Sequence, residues 1–275
     1  MAIKLDIVIP VYGEHEYLKQ CLVSIDKAIE WNSAFDQFRI TIADNGAQNI
    51  PINRSDFGRM RMSNYLRILP MSHNKMFAGA VNAAVQNCRI SEQIEGEYYY
   101  LILNSDTILP GNFFNRILHI KKEWEIYGPK TNRCAGKQCD SRLNNKNVRI
   151  AADLWYENIA MVNELSSQVT TSNHGSEYVR WANGFCLMVK SSVFDKIGYF
   201  DAETFPLSGE EIDFCYRAHE KGIKMLIDHE NFCWHFKGAT VKSMEGLDKY
   251  WKVSADKLRA KYDYFPSQEI QCKNS

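Results

Sequence analysis

The sequence lacks an excess of charge of either sign, and it lacks any long uncharged hydrophobic run. Its 275 residues contain 33 lysines and arginines against 33 aspartates and glutamates. A protein built mainly to bind nucleic acid would show a basic excess, so that class is disfavoured. No window approaches the roughly 18 uncharged apolar residues of a membrane-spanning helix. Because Asp6 and Pro10 also interrupt the apolar start too early for a signal peptide, we expect a cytoplasmic protein, at most attached to a membrane surface.

Two glycine-rich phosphate-binding motifs are also missing after the first predicted strand, which ends at Pro10. A nicotinamide-dependent dehydrogenase would carry Gly-x-Gly-x-x-Gly at this point. An enzyme that makes sugar nucleotides would need a Gly-rich basic loop there for a triphosphate. Residues 10–14 contain one glycine and no basic residue, so both enzyme classes are disfavoured.

The first half of the sequence alternates between strand and helix patterns. Short apolar runs predict strands at 7–10, 38–42, 66–69 and 98–103. Apolar residues at helical spacing predict helices at 18–29, at 78–85 and near 112–124. This order predicts an α/β fold with a mostly parallel central sheet that helices cover on both faces. Right-handed crossovers then place the strand ends and the following loops along one edge.

The second half is less regular. Residues 128–150 are poor in apolar residues, which predicts a long loop or an irregular insert. A helix is predicted near 154–165 and a strand at 224–227. Apolar and basic residues alternate in a helical pattern over 247–262, which predicts an amphipathic basic helix. This helix has two open interpretations: it packs on the domain, or it docks to an anionic membrane surface.

Four polar or acidic clusters lie at predicted strand ends or in the loops after them. They are Pro10-Val11-Tyr12-Gly13-Glu14, Asp44-Asn45-Gly46, Asn104-Ser105-Asp106 and Gly209-Glu210-Glu211-Ile212-Asp213. The carboxyl ends of strands in open α/β sheets are where ligands bind. Asp106 directly follows a buried strand, so it is well placed to hold a hard cation with the phosphates of a ligand.

Each cluster also has a structural interpretation. Residues 10–14 could form a wall for a nucleobase or an ordinary strand-to-helix junction. Asp44 could accept a hydrogen bond from a base or ribose, or could stabilise its own turn. The carboxylates of 210–213 could complement a helix dipole or contain a general base whose pKa is raised by burial and by each other. His235, which follows Trp234, could be a structural hydrogen-bonding residue or a metal ligand.

Taken in order, these segments resemble the inverting GT-A glycosyltransferases of glycosyltransferase family two, which includes many bacterial rhamnosyl- and galactosyltransferases. The resemblance runs from about Ile7 to Lys237. It rests on Ile-Val-Ile-Pro-Val-Tyr at 7–12, Ala-Asp-Asn-Gly-Ala at 43–47, Asn74 with Phe77–Asn82, Leu-Asn-Ser-Asp-Thr at 103–107 with Pro110-Gly111, Trp-Ala-Asn-Gly-Phe-Cys at 181–186, Gly-Tyr-Phe-Asp at 198–201, Gly-Glu-Glu-Ile-Asp at 209–213 with Arg217, and Trp234-His235.

The resemblance implies a GT-A fold, in which a Rossmann-like, mostly parallel sheet is flanked by helices, with an acceptor-side insert and a C-terminal helix. It implies a glycosyltransferase domain over residues 1–240. Within that domain, a nucleotide-binding half is expected at 1–125 and an acceptor and catalytic half at 126–240. Residues 241–275 would form the C-terminal amphipathic helix and a tail.

The resemblance also implies which residues bind a nucleotide diphosphate sugar, with a UDP- or dTDP-sugar favoured. The expected donor-binding residues are Pro10, Val11, Tyr12, Glu14, Asp44, Asn74, Asn104, Ser105 and Asp106. Asp106 matches the metal-binding acid of the family's Asp-x-Asp motif, and His235 matches the histidine that completes a site for Mn²⁺ or Mg²⁺. Asn104 replaces the first acid of that motif, which removes one carboxylate from the ribose and metal region.

The catalytic base implied by the resemblance is Glu211, which matches the second acid of the family's Glu-Asp pair. Because this residue is Glu where the family has Asp, Glu210 stays open as the alternative. The residues expected to bind substrate are Trp181, Asn183, Gly184 and Asp213.

The implied reaction is a metal-assisted single displacement that inverts the anomeric carbon and transfers a hexosyl or deoxyhexosyl group. The acceptor would be a hydroxyl of a glycan or a lipid-linked glycan, and the basic C-terminal helix would suit a lipid-linked one. An inactive sugar-nucleotide or glycan-binding module of the same fold is the alternative. The departures at Asn104 and Glu211 keep that alternative open.

Overall fold

The structure is a computed structural model and describes residues 3–12, 15–30, 37–46, 65–90, 97–120, 122–143, 155–236 and 247–262. Its strands are β1 (Ile3–Val11), β2 (Gln37–Asp44), β3 (Leu66–Pro70), β4 (Glu97–Leu103), β5 (Thr107–Ile108), β6 (Ile126–Lys130), β7 (Ser176–Tyr178), β8 (Cys186–Lys190), β9 (Met225–Phe232) and β10 (Trp234–His235). Its α-helices are α1 (His15–Glu30), α2 (Met76–Ile90), α3 (Phe113–His119), α4 (Trp155–Ser172), α5 (Ser191–Ile197), α6 (Glu210–Glu220) and α7 (Leu247–Lys261). Short 3-10 helices lie at Gly136–Gln138 and Ser141–Leu143.

An eight-stranded sheet forms the centre of the fold, in the order β3-β2-β1-β4-β8-β6-β9-β7. Strands β3, β2, β1 and β4 are mutually parallel, and β6 is parallel to β9. Strand β8 runs antiparallel to both β4 and β6, so it joins the two parallel groups into one sheet. One continuous sheet therefore contains strands from both sides of residue 125. The division into a nucleotide-binding half and an acceptor half at that residue stays a prediction.

Alternating residues of the strands build one apolar layer on each face of the sheet. Along β1, Ile7 and Ile9 face the layer that α1, α3 and α4 cover, whereas Val8 faces the layer of α2, α5 and α6. Along β4, Leu101 belongs to the first layer and Ile102 to the second. A strand buried on both faces reads as a continuous apolar run, which is the pattern that predicted these strands.

The predicted fold class is confirmed: a mostly parallel central sheet is flanked by helices on both faces. The strands and helices predicted in the first half match β1, α1, β2, β3, α2 and β4, all of which extend beyond their predicted ranges, with β1 and α2 about twice as long as predicted. In the second half, α4 extends to Ser172 and β9 to Phe232, beyond the ranges predicted for them.

The helix predicted near 112–124 is shorter in the structure, where α3 ends at His119. Ile120 already has an extended backbone, with φ −68° and ψ 120°. Trp124 packs its ring against Tyr99 and Tyr127, at centroid distances of 5.4 and 5.3 Å. The apolar residues of this segment therefore pack against neighbouring rings and do not continue the helix.

The prediction of a long loop over 128–150 was wrong for its first residues, since 128–130 belong to β6. The buried Lys130 remains compatible with a strand because its Nζ donates to the carbonyl oxygen of Cys139 at 3.1 Å. Residues 144–150 lie outside the described part of the chain.

Helix α7 confirms the predicted C-terminal helix, and its Ser254 and Leu258 are buried. The face of α7 that carries Ser254 and Leu258 therefore packs on the domain, which is one of the two open interpretations of this helix. Within the ranges described above, the structure contains no helix whose length and apolar character together would let it cross a bilayer.

Candidate active site

The parallel strands β1, β2 and β4 end at the same edge of the sheet, as the sequence predicted. Val11 is paired with Asp44 in the β1–β2 register, and both residues are buried. Pro10 is buried one position earlier, whereas Tyr12 is exposed just beyond the strand. Glu14 lies outside the described residues. The other predicted nucleoside-binding residues of these two strand ends are thus neighbours in space.

A network of asparagines braces this edge, and the sequence did not predict it. The Asn45 side chain accepts from the backbone N–H of Lys75 at 2.7 Å and donates to Asn74 Oδ1 at 2.9 Å. Asn74 Oδ1 also accepts from the backbone N–H of Met76 at 2.8 Å, where α2 begins. Asn74 therefore fixes the start of α2 beside Asp44, and a contact with nucleotide stays a prediction for it.

Asp106 and His235 are brought together by a small two-stranded sheet made of β5 and β10. His235 pairs with Thr107 in this sheet, and the backbone N–H of Phe236 donates to the Asp106 carbonyl oxygen at 3.0 Å. The buried Asp106 Oδ1 and His235 Nε2 are consequently 3.4 Å apart. The convergence of these two side chains, which the resemblance implied, is present in the structure.

Two residues that the sequence did not single out position the His235 side chain. Asn132 accepts from the backbone N–H of His235 at 2.8 Å and donates to its carbonyl oxygen at 3.1 Å. The ring of Phe185 stacks on the imidazole, with centroids 5.1 Å apart and an angle of 14°. Asn132 comes from the predicted insert, where one polar residue among many gave no signal.

The residues at this point fit a hard divalent cation. Asn104 Nδ2 lies 3.4 Å from His235 Nε2, and Asn104 Oδ1 is buried with no hydrogen-bond partner in the described structure. His235 Nδ1 is also buried without such a partner. Oxygen and imidazole ligands suit Mn²⁺, and Mg²⁺ is usually held by one or two carboxylates plus substrate phosphates. In the described part of the chain, no group of three or more His, Cys, Asp or Glu side chains is placed to hold a metal ion.

Glu210 and Glu211 begin α6, directly after Gly209, which has a positive φ of 83°. The Glu210 side chain is buried and that of Glu211 is partly buried. Each has an Oε2 atom that is buried and receives no hydrogen bond in the described structure. A buried carboxylate without donors is costly when it is charged.

The surroundings raise the pKa of both carboxyl groups. Burial raises the pKa of Glu210 well above its ordinary value, and the neighbouring Glu211 charge adds to this. Burial also raises the pKa of Glu211, although backbone N–H groups of the first turn of α6 oppose the shift. A raised pKa makes a carboxylate a stronger base, which is what a general base near neutral pH requires.

The loop 181–185 contacts both the Glu211 side chain and the His235 ring. A Cβ atom added to Gly184 would lie 3.3 Å from Glu211 Cβ, so the Glu211 side chain packs directly over this glycine. The next residue, Phe185, accepts a hydrogen bond from the Asn104 backbone N–H at 2.8 Å and stacks on His235. The predicted base and one predicted metal ligand, His235, therefore contact successive residues of one loop.

The 3-10 helix at Gly136–Gln138 holds the first half of the same loop. Gln138 Oε1 accepts from the Asn183 backbone N–H at 2.6 Å, and Asn183 Nδ2 donates to the carbonyl oxygen of Ala135 at 2.8 Å. The buried Trp181 ring lies so close to Gly136 that a Cβ there would be 2.8 Å from it. Residues of the predicted insert thus brace the loop that contains the expected substrate-binding residues Trp181, Asn183 and Gly184.

Asp213 has surroundings that differ from those expected of a substrate-binding residue. It is fully buried, and its carboxylate accepts from Arg217 Nε at 2.8 Å, Lys261 Nζ at 2.6 Å and the Tyr262 hydroxyl at 2.7 Å. Burial alone would raise the pKa of Asp213, but these three donors outweigh it and the pKa is lowered. Both carboxylate oxygens of Asp213 therefore accept hydrogen bonds within the fold, and a contact with substrate stays a prediction for this residue.

The sequence model of the family described as "Glycosyltransferase like family 2" matches residues 4–254 of the chain. The chain belongs to this family. A relative of known function supports the assignment over a short segment, because 52 residues are 44% identical to the low-salt glycan biosynthesis hexosyltransferase Agl10 of Haloferax volcanii. This segment is 19% of the chain and 17% of Agl10.

Two solved structures show that this family member has the glycosyltransferase A fold. The mannosyltransferase PcManGT of Pyrobaculum calidifontis, in complex with GDP-Man and Mn²⁺, matches 88% of the chain with a TM-score of 0.52 and 12% identity. GalNAc-T7 with UDP, GalNAc and Mn²⁺ matches 84% of it with a TM-score of 0.57 and 11% identity. The chain spans 58% and 43% of these two proteins, so the likeness concerns the fold alone.

Proposed function

We propose that this chain is an inverting glycosyltransferase that moves a sugar from a nucleotide diphosphate sugar to a hydroxyl of a glycan or lipid-linked glycan. The observation that carries the proposal is the single loop, 181–185, whose Gly184 lies against Glu211 and whose Phe185 stacks on His235, the partner of Asp106. Membership in glycosyltransferase family 2 supports the reaction class.

In this proposal the donor binds along the edge formed by β1, β2 and β4. The exposed Tyr12 would face the nucleobase, and Val11, whose side chain is buried in the first apolar layer, would line the site through its backbone. Asp44 would accept a hydrogen bond from the nucleobase or ribose. Asp106 and His235 would hold Mn²⁺ or Mg²⁺, with Asn104 beside them. When bound, the cation neutralises negative charge on the departing nucleotide diphosphate.

Glu211 would act as the general base. Its carboxylate takes the proton from the acceptor hydroxyl as that oxygen attacks the anomeric carbon from the face opposite the nucleotide. One displacement inverts the configuration, and the C–O bond to the nucleotide diphosphate breaks as the new glycosidic bond forms. Glu210 is the alternative base, but it is the more deeply buried of the two, which favours Glu211.

The acceptor would approach the loop from the side of Trp181. An open groove of about 630 Å³ borders Trp181 and Asn183 and is also lined by Tyr178 and Arg180. Aromatic faces and hydrogen-bonding side chains suit a sugar. We propose a UDP- or dTDP-sugar as the donor. The nucleobase, the sugar and the linkage are identified by the ligand screen, the transfer assays and the product analysis described below.

We further propose a cytoplasmic enzyme in peripheral contact with the membrane. On α7, Tyr250, Trp251 and Val253 are exposed next to the exposed Lys252, a combination that favours the surface of an anionic bilayer. Sedimentation with phosphatidylglycerol vesicles, but not with phosphatidylcholine vesicles, supports this contact. Equal sedimentation with both, or with neither, contradicts it.

The central experiment is a thermal-shift screen of nucleoside diphosphates with and without Mn²⁺, followed by transfer assays with the sugar nucleotides that bind. A ligand of the folded state raises the melting temperature by mass action. We expect a metal-dependent rise that Asp106→Ala abolishes and the exposed-site control Asp256→Ala keeps. The anomeric configuration of the product, read by NMR, should be opposite to that of the donor. Retention, or binding without transfer to any hydroxyl acceptor or water, contradicts the proposal; the second result would favour a binding module.

A further inference from the structure

The C-terminal end of α7 and the residue after it are hydrogen-bonded to the first turn of α6, which contains the proposed base Glu211. Lys261 Nζ and the Tyr262 hydroxyl both donate to Asp213 Oδ1, at 2.6 and 2.7 Å. Asp213 is fully buried and lies on the first turn of α6, two residues after Glu211. Hydrogen bonds to a buried charged group are among the stronger ones in proteins.

A second contact between the same two helices lies at the residue that precedes Glu210. A Cβ on Gly209 would lie 2.9 Å from Leu258 Cδ1 and 3.5 Å from Ser254 Cβ. Nearby, Lys257 Nζ donates to the carbonyl oxygen of Thr204 at 2.9 Å. The start of α6 is therefore covered by one face of α7, with no room for a larger side chain at 209.

The other carboxylate oxygen of Asp213 is tied to the body of the domain through Arg217. Arg217 Nε donates to Asp213 Oδ2 at 2.8 Å, and its Nη1 and Nη2 donate to the carbonyl oxygens of Ile197 and Tyr199 at 2.6 and 2.8 Å. Asp213 thus joins the loop after α5, the first turn of α6 and the end of α7. Lys261 and Tyr262 lie beyond residue 254, where the match to the family's sequence model ends.

We propose that Lys261 and Tyr262 are positioning residues for Glu211, which they hold against Gly184 by fixing Asp213 and with it the first turn of α6. This inference rests on the proposed function, because it assigns α7 a part in that reaction. The proposed base has no side-chain donor of its own in the described structure, so its place depends on its helix. A displacement of about 1 Å at a reacting group can cost roughly a hundredfold in rate.

The experiment compares the full-length parent with Tyr262→Phe, Lys261→Met and the double variant, with the exposed Arg259→Met on the same helix as the matched control. Turnover and the KM for the donor are measured below the melting temperature of every variant. We expect kcat to fall about tenfold or more in the double variant while the donor KM stays within about twofold. Lys261→Arg should restore most of the loss of Lys261→Met, because a cationic donor is kept.

Hydrogen exchange at the amides of 210–213 tests the same positioning role without any activity measurement. We expect faster exchange there in the double variant, and parent-like exchange in Arg259→Met. Unchanged exchange, or an unchanged kcat in an active double variant, overturns the positioning role. The positioning role is also overturned if the double variant is merely less stable and its donor KM rises by the same factor as its kcat falls. A parent that transfers no sugar contradicts the proposed function, which is a different result from an active parent with indifferent variants.

Discussion

The three carboxylates on the first turn of α6 differ in their hydrogen bonds: Asp213 has three side-chain donors, and Glu210 and Glu211 have buried oxygens without a donor. Asp213 accepts from Arg217, Lys261 and Tyr262. Glu210 and Glu211 each keep a buried Oε2 that no donor of the described structure reaches. The pKa follows the donors: burial acts on all three carboxyl groups, but only at Asp213 do hydrogen bonds reverse its effect and lower the pKa.

The Asp213 carboxylate stabilises the fold, whereas ionised Glu210 and Glu211 carboxylates destabilise it. A satisfied buried charge ties elements together, whereas an unsatisfied one lowers stability whenever it is ionised. Proteins retain such costly groups mainly at functional sites. The four predictions below test whether the two groups differ in this way, beginning with the largest expected effect.

Glu211→Gln should abolish most sugar transfer and leave donor binding intact. Glutamine keeps the size of the side chain but cannot accept the hydroxyl proton, and general-base assistance is typically worth about 10²- to 10⁴-fold. Initial transfer rates and the donor dissociation constant measure the two effects. Glu220→Gln, at the exposed end of the same helix, is the control and should keep the parent rate. Equal rates in Glu211→Gln and the parent would refute the assignment of the base.

Asp213→Asn should cost about 3 kcal/mol of the free energy of unfolding, because it leaves Arg217 and Lys261 facing a neutral amide in a buried site. Urea denaturation followed by circular dichroism measures the loss. Asp256→Asn removes an exposed pair with Arg259, whose Nη1 lies 2.9 Å away, and should stay within about 1 kcal/mol of the parent. A similar small change in both variants would show that the Asp213 network contributes nothing special.

Glu210→Gln should stabilise the protein, and increasingly so as the pH rises. The raised pKa means that the folded state holds a proton over a pH range in which the unfolded chain has lost it. The stability of the parent is therefore fully present below the unfolded pKa and is lost as the pH rises through the folded pKa. Glutamine does not ionise, so the difference in melting temperature between variant and parent should grow from about pH 4 to about pH 8. A difference that is constant over this range contradicts the prediction.

Gly184→Ala should have the smallest effect, a reduction of transfer by about tenfold with little loss of stability. The new Cβ would lie 3.3 Å from Glu211 Cβ and 3.5 Å from its Cγ, which displaces the side chain by a few tenths of an ångström. Rates for Gly184→Ala, Glu211→Gln and the double variant form a cycle. If the alanine acts through Glu211, it should cost little more once the carboxylate is gone; full additivity would show that it does not.

The sequence predicted secondary structure best where an element is specified by the apolar pattern of consecutive residues. The apolar run of β4 and the helical spacing of α2 predicted both elements, because burial on two faces or on one stripe is written into consecutive positions. The same reasoning failed near Trp124, whose apolar side chain fills a space between two tyrosine rings. Periodicity records that a residue is buried, and it does not record which element buries it.

The candidate site was only partly predictable. Asp106 and His235 were paired through the order of motifs, and the structure places them 3.4 Å apart. Asn132, which holds His235 across 103 positions of chain, gave no local signal. Asp213 was placed among the substrate-binding residues, yet the structure surrounds its carboxylate with three donors, Arg217 of α6, Lys261 at the end of α7 and the next residue, Tyr262.

The sequence by itself determined the alternation of strands and helices, the edge at which the polar clusters gather and the family to which the chain belongs. These follow from local burial patterns and from residues in a fixed order along the chain. Only the tertiary structure decided which of three neighbouring carboxylates receives hydrogen bonds from side chains. The donors Lys261 and Tyr262 lie 48 and 49 positions away from Asp213 and meet it because α7 packs across α6. The charge state of a buried acid depends on the groups that surround it in space, and spacing along the chain does not specify those groups.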